Sequence, residues 1–179
     1  MGEDIRARIA NALATAGIEG FKDTTTRIRP QWRASFSFRG ELHGETSYVH
    51  LHVPADADQL QVNSTASSPA LDLVPTDRLQ EMLAEVNGAL VPGSVGLERI
   101  VEELGAAPAD VAGWEVLIMP YQGFEHRMML AKVTMPLACL SGESVDLAIR
   151  LGLSLARIAR ELVAAACDSP GEASDSSAL

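Results

Sequence analysis

The chain begins with a helical pattern of apolar residues. Polar side chains separate four apolar residues that recur every three or four positions, which is the spacing of one helix face; these are Ile5, Ile9, Leu13 and Ala16. Gly17 follows where such a helix would end, because glycine readily adopts the left-handed conformation that terminates helices. The pattern predicts an amphipathic helix from about residue 3 to residue 16.

From Pro30 the apolar residues repeat at every second position, which is typical of a half-buried strand. One side of this strand is predicted to hold Trp32, Ala34, Phe36 and Phe38, and the other Gln31, Arg33, Ser35, Ser37 and Arg39. The segment 40–45 contains two glycines and predicts a hairpin loop. Two more strands alternate apolar Val49, Leu51, Val53, Leu60 and Val62 with polar Tyr48, His50, His52, Gln59, Gln61 and Asn63. These three strands predict an antiparallel meander with one apolar and one polar face.

The second half of the chain predicts two helices and further strands. Thr76 is a suitable N-cap for a helix that closes at Asn87 and Gly88, and its apolar stripe is Leu79, Met82, Leu83 and Val86. A strand is expected at 95–100, and a second hairpin is expected from segments 114–119 and 128–137. The longest helical pattern runs from Gly142 to Cys167.

This order of elements predicts the fold class α+β. The expected sequence is a helix, a three-stranded antiparallel meander, a helix, further antiparallel strands and a long C-terminal helix, with the helices packed on one face of the sheet. We expect a single domain over residues 1–167, because a chain of this length fills one core. Residues 168–179 are small, polar and acidic, which predicts a disordered tail.

Charge and motifs exclude several kinds of function. The formal net charge of -10 repels phosphate backbones, so a nucleic-acid partner is not expected. No segment approaches the ~20 apolar residues of a membrane span, and the charged N-terminus does not resemble a signal peptide, which predicts a cytoplasmic protein. Cys139 and Cys167 lack metal or redox spacing. Because no catalytic or nucleotide-binding motif occurs, we expect neither an enzyme nor a cofactor.

The segment GETSYVHLHV offers an alternative. Gly44, five residues and then His50-x-His52 match the opening of a cupin metal motif, and residues two apart on a strand share a face. A metal-binding enzyme or sensor is therefore the alternative function. The other interpretation is that His50 and His52 lie on the polar face of the sheet with Arg33 and Arg39, where an acidic partner could bind or the charges could simply be solvated.

Three segments carry a resemblance to a known family: LQEMLAEVNGALVPGSVGLE, then MMLAKVTMPL, then SGESVDLAIRLGLSLARIARELVAA. Their pattern is similar to that of YbjN-like proteins, whose fold resembles type III secretion chaperones. The resemblance implies a homodimeric, non-enzymatic protein that binds another polypeptide in a chaperone-like or regulatory role, such as a stress response. In that reading the stripe of Leu79, Met82, Leu83 and Val86 could pack across a twofold axis or only cover the chain's own sheet, and an exposed sheet edge could accept a partner segment.

Overall fold

The computed structural model describes residues 4–27, 31–67, 70–88, 102, 104, 113–120 and 127–168. The helices and strands bounded within these residues are, in chain order, α1 (Ile5–Thr15), β1 (Lys22–Asp23), β2 (Trp32–Leu42), β3 (Glu45–Pro54), β4 (Gln59–Ser67), α2 (Ala70–Leu73), α3 (Thr76–Gly88), β5 (Gly113–Pro120), β6 (Arg127–Pro136) and α4 (Gly142–Asp168). The strand predicted at 95–100 and the tail from residue 169 onward lie outside the described residues.

The strands form one sheet in the order β1-β2-β3-β4-β6-β5, in which every neighbouring pair is antiparallel. Strands β2, β3 and β4 are the predicted meander, and β5 pairs with β6 as predicted for the second hairpin. The long helix α4 packs on β4 and β6. The predicted fold class, α+β with an antiparallel sheet and a long C-terminal helix on it, is therefore confirmed.

Local sequence explains where the first and last helices begin. The Asp4 carboxylate accepts a hydrogen bond from the Arg6 backbone N–H at 3.0 Å and so caps α1. At α4 the Ser144 N–H donates to the Ser141 hydroxyl at 3.1 Å, while the Ser141 N–H donates to the Ser144 hydroxyl at 2.9 Å. This reciprocal pair satisfies two backbone donors that a helix start leaves free.

The hydrophobic core lies between the helices and one face of the sheet. Alternate strand residues such as Leu51 and Val62 join a single buried cluster with apolar residues of α1, α3 and α4. Helix α4 lies close to β4 at Gly152, where a Cβ atom would come within 2.7 Å of the Ser64 Oγ. The glycine is therefore what allows the helix to lie this close to the strand.

The apolar stripe of α3 belongs to this core. Leu79 and Met82 are 3% and 4% exposed, and the half-buried Leu83 packs against the same cluster. Leu79 and Met82 therefore cannot form a dimer or partner surface on the folded chain, and that part of the prediction needs correction. The side chain of Val86 lies outside the described part of the structure.

The two edges of the sheet differ. At the β5 edge, the Asn87 side chain donates from Nδ2 to the Val116 carbonyl and accepts from the Val116 N–H, both at 2.9 Å. A primary amide can pair in this way because it carries a donor and an acceptor side by side, like a peptide group. At the opposite edge, β1 covers only Phe36 and Ser37 of β2.

Candidate binding face

The face of the sheet opposite the core is called the open face here. It is formed by the strand residues that alternate with the buried ones. In the middle of this face, five residues from five strands lie side by side in register, and they are Ser37, His50, Asn63, Lys132 and Glu115. The open face is therefore the polar face that the alternation predicted, and both His50 and His52 lie on it.

Trp32 also lies on the open face, which corrects the prediction that it shares a side with Phe36. The register of β2 and β3 shifts between Trp32 and Ala34, so that Trp32 lies opposite Pro54 and Ala34 opposite Val53. One extra residue in a strand reverses which side the following positions face. The hydrophobic pattern alone does not show such a bulge.

Because of this bulge, four rings form a continuous aromatic row along β3. Trp32 stacks on His52 with ring centroids 4.6 Å apart, and His52 stacks on His50 at 5.3 Å. Tyr48 meets His50 edge to face at 4.4 Å. The aromatic row (Trp32, His52, His50 and Tyr48) covers the centre of the open face with half-buried rings.

Burial keeps the two imidazoles neutral. Desolvation, and to a smaller extent the electrostatic interaction with His50, lowers the pKa of His52 to about 4. Desolvation also lowers the pKa of His50. Removing an ionisable ring from water disfavours its charged form, so His52 is uncharged at neutral pH.

Three buried polar atoms of the open face have no hydrogen-bond partner: His50 Nδ1, His52 Nδ1 and Asn63 Oδ1. Asn63 lies directly opposite His50 in the sheet. Each Nδ1 is left without a partner whether it carries the proton of the neutral ring or not. Unsatisfied buried polar atoms are few in native proteins, so three on one small face mark it as unusual.

The charged residues of the open face are largely paired. The exposed Arg33 donates to the Ala57 carbonyl at 2.7 Å and to the Asp58 carboxylate at 2.8 Å, so it fastens the turn between β3 and β4. Lys132 pairs with Glu115 at 3.1 Å. Arg39 is exposed and lies opposite Tyr48. The face as a whole therefore carries little net charge.

The ligands for a metal ion are incomplete at His50 and His52. Within the described residues, no group of three or more histidine, cysteine, aspartate or glutamate side chains could hold an ion. The two imidazoles stack with planes only 12° apart, so they face each other instead of aiming their nitrogens at one point. Gly44 has a local role: its φ of 80° suits the two-residue turn that joins Leu42 to Glu45.

Other candidate residues have structural surroundings. Ser141 caps α4, and the Ser144 hydroxyl also donates to the Cys139 carbonyl at 2.7 Å. Cys139 is a half-buried free thiol, and the side chain of Cys167 lies outside the described residues. None of the helices in the described segments is both long and apolar enough to cross a membrane.

Comparisons with known proteins inform the fold alone. No family model matches the chain, and no curated protein matches it either. A solved structure of an uncharacterized protein from Methanothermobacter thermautotrophicus is similar, with a TM-score of 0.56 and 12% sequence identity over 90% of this chain and 97% of that one. The comparisons lend no support to the predicted resemblance to YbjN-like proteins, which stays a prediction.

Proposed function

We propose that the protein is a non-enzymatic binding protein that holds another polypeptide on its open face and acts as a homodimer. The observation that carries this proposal is the aromatic row together with the three buried atoms that lack hydrogen-bond partners. Rings with an apolar body and a polar tip are enriched where proteins meet. The aromatic row offers one tryptophan and one tyrosine of this kind beside two imidazoles.

A bound polypeptide could satisfy the unpaired atoms of the row. If the binding of a polypeptide turns the ring of His50 or His52 about its Cβ–Cγ bond, Nδ1 and Cδ2 exchange places and the nitrogen can meet the partner. A backbone N–H of the partner can then donate to it, and leaving such a group unpaired costs about 1–3 kcal/mol. The polypeptide therefore gains hydrogen bonds that the isolated chain leaves unmade.

Charge favours a polypeptide over a nucleic acid on this face. The chain carries a net charge of -10, while Arg33 and Lys132 are already engaged by carboxylates. A phosphate backbone would find few cations to neutralise it. Neutral imidazoles and aromatic rings suit backbone amides and apolar side chains, which are the groups exposed by an unfolded or extended segment.

The predicted resemblance to YbjN-like proteins supports the biological role in this proposal. It implies a chaperone-like or regulatory function in stress response, exercised in the cytoplasm. A chaperone-like protein needs a surface that accepts different segments, and contacts through ring faces and main-chain amides do not depend on one partner sequence.

The experiment uses Trp32 as its own reporter. The chain has two tryptophans, so a Trp114→Phe variant leaves Trp32, stacked on His52, as the only one. This variant is titrated with a reduced and alkylated polypeptide that cannot fold, and we expect a saturable change in its fluorescence. Tyr48→Ala and His50→Ala should each weaken binding about tenfold, because truncating a central interface ring typically costs more than about 1 kcal/mol.

Arg160→Ala provides the matched control, because Arg160 is exposed on α4, which packs on the other face of the sheet. This variant should bind like the parent, and circular dichroism should show that all variants remain folded. If every variant bound the polypeptide with the same affinity, the binding site would lie outside the aromatic row. No saturable change at all would contradict the proposed function itself.

A further inference from the structure

Strand β2 has a stretch of edge that β1 does not cover. β1 pairs with Phe36 and Ser37, while β2 continues to Leu42. Phe38 is buried and in contact with Phe21, which precedes β1, at 5.2 Å between ring centroids. Within the described residues, no strand pairs with Arg39–Leu42 on the side away from β3. Arg39 and Glu41 are exposed along this stretch.

The backbone groups of Arg39 and Glu41 point outward from this edge. The Ser35 N–H donates to the Thr25 hydroxyl at 2.9 Å, and the Ser35 carbonyl accepts from the Thr24 N–H at 2.8 Å. Ser35 therefore directs both its backbone groups away from β3. Alternate residues of an antiparallel strand share this direction, so Arg39 and Glu41 also present their N–H and C=O groups to the outside.

The sequence of this edge is complementary to itself. It reads Phe-Arg-Gly-Glu-Leu and is centred on Gly40. If a second copy lies antiparallel with the two Gly40 residues opposite each other, Arg39 lies opposite the partner's Glu41, and Glu41 opposite the partner's Arg39. Residues directly opposite in an antiparallel pair share a face, so each arginine lies beside a glutamate of opposite charge.

We propose that two copies of the chain pair antiparallel through Arg39–Glu41 of β2, with Gly40 opposite Gly40, and so join their two sheets into one. We infer a second copy as the partner because the charge order matches when the strand meets its own sequence in the antiparallel direction. This inference rests on the proposed function in one respect, because it describes the homodimer that the proposed function includes. The pairing stands whether or not the open face binds a polypeptide.

The twofold axis of such a pair runs perpendicular to the sheet, so both open faces lie on the same side. The two copies of β3, each with its aromatic row, are then separated by three strand spacings, or about 14 Å. A polypeptide that crosses the joined sheet could contact both rows. The dimer therefore doubles the binding surface without covering either open face.

Hydrogen bonds and charges along the edge support this pairing. Arg39 and the partner's Glu41 can exchange two main-chain hydrogen bonds, and the symmetric pair exchanges two more. The contact is small and both copies are acidic, so we expect dissociation in the micromolar range.

Reversing the charges at positions 39 and 41 tests the pairing. Arg39→Glu places two glutamates opposite each other, and Glu41→Arg places two arginines opposite each other, so each single variant should dimerise at least about tenfold more weakly. The double variant Arg39→Glu/Glu41→Arg restores both opposite-charge pairs and should dimerise like the wild type. Sedimentation velocity over a wide concentration range at physiological salt measures this.

Mixing the two single variants provides the sharpest control. One variant then carries two glutamates along the edge and the other two arginines, so the mixture should form a heterodimer that neither variant forms as a homodimer. Thermal melting verifies that these exposed substitutions leave the fold intact. A wild type that remains monomeric at all concentrations, single variants that dimerise normally, or a mixture that does not associate would each overturn the proposal.

The result of the dimerisation experiment can be distinguished from the result of the polypeptide-binding experiment. Polypeptide binding is measured through Trp32 and the aromatic row, and dimerisation through residues 39 and 41. If the charge exchange fails while Trp32 still reports binding, the open face binds as proposed and only this dimer is wrong. If dimerisation follows the charges but Trp32 detects no polypeptide, the dimer stands without the binding function.

Discussion

Acidification should destabilise the protein through His52. Its pKa is lowered from an ordinary 6.5 to about 4 in the folded chain, first by burial and then by His50. Above pH 6.5 the ring is neutral in both the folded and the unfolded state, so it contributes no pH dependence. As the pH falls from 6.5 towards 4, the unfolded state binds a proton that the folded state resists, and the free energy of unfolding decreases.

The size of this effect follows from the pKa difference. A difference of about 2.5, at about 1.36 kcal/mol for each pKa unit, gives an upper limit of about 3.4 kcal/mol. The ring of His52 is only half-buried, so solvent screens part of this penalty, and about 1.5 kcal/mol is the more realistic total. Because pH 5 lies within the window, we expect about 1 kcal/mol to be lost between pH 7 and pH 5.

Urea unfolding at pH 7, 6 and 5 measures this loss in the wild type and in His52→Gln. The variant cannot titrate at this position, so its stability should fall less, by about 1 kcal/mol, over the same range. Loss of the contact with Trp32 changes its stability equally at each pH and does not affect the comparison.

Ser37→Ala is the matched control, because Ser37 lies opposite His50 and has no titratable group. Its pH dependence should run parallel to that of the wild type. NMR titration of the His52 ring gives the pKa directly. A ring that titrates near pH 6.5, or a constant stability difference between wild type and His52→Gln, would refute the reasoning.

Two further predictions concern the core and the β5 edge. Gly152→Ala should lower the free energy of unfolding in urea by about 1–2 kcal/mol, because the new Cβ would lie 2.7 Å from the Ser64 hydroxyl and overpacking is costly. In a Ser64→Ala background, which removes that unpaired oxygen, the same change should be neutral or stabilising. An equal cost in both backgrounds would contradict this account. Asn87→Ala should cost about 1–3 kcal/mol and speed hydrogen exchange at the Val116 amide, whereas unchanged exchange would mean that the amide pair at 2.9 Å does not protect the edge.

The strands of the meander could be predicted because one side of each strand is buried in the core. In β3, Val49, Leu51 and Val53 are fully buried, and a shift by one residue would expose all three. The alternation thus determines both the strand and its orientation. The side on which Trp32 lies could not be predicted in this way, because a bulge arises from the pairing between two strands. The pattern of a single strand does not contain it.

The apolar stripe of α3 shows a second limit. Its spacing predicts a helix with one apolar face, and α3 is such a helix. The pattern cannot distinguish a stripe that covers the chain's own sheet from one that meets a partner, since both require the same residues in the same spacing. Only the burial of Leu79 and Met82 decides between them.

The candidate site was visible in the sequence only in part. His50 and His52 could be placed on one face from their spacing, but the stacking of Trp32 on His52 depends on the bulge. Their lowered pKa values and unpaired Nδ1 atoms depend on burial by neighbouring strands. Such properties arise from contacts between residues distant in the sequence, so no local pattern carries them.

The two sheet edges together explain why the proposed self-association is placed at β2. An unpaired edge can template aggregation, and proteins commonly protect it with a covering group or with charges. At β5 the Asn87 side chain occupies the backbone groups of Val116, which leaves no room there for another strand. At β2 the protection consists of Arg39 and Glu41, which oppose foreign strands but match each other across a twofold axis. The same two charges would then exclude most partners and admit a second copy of the chain.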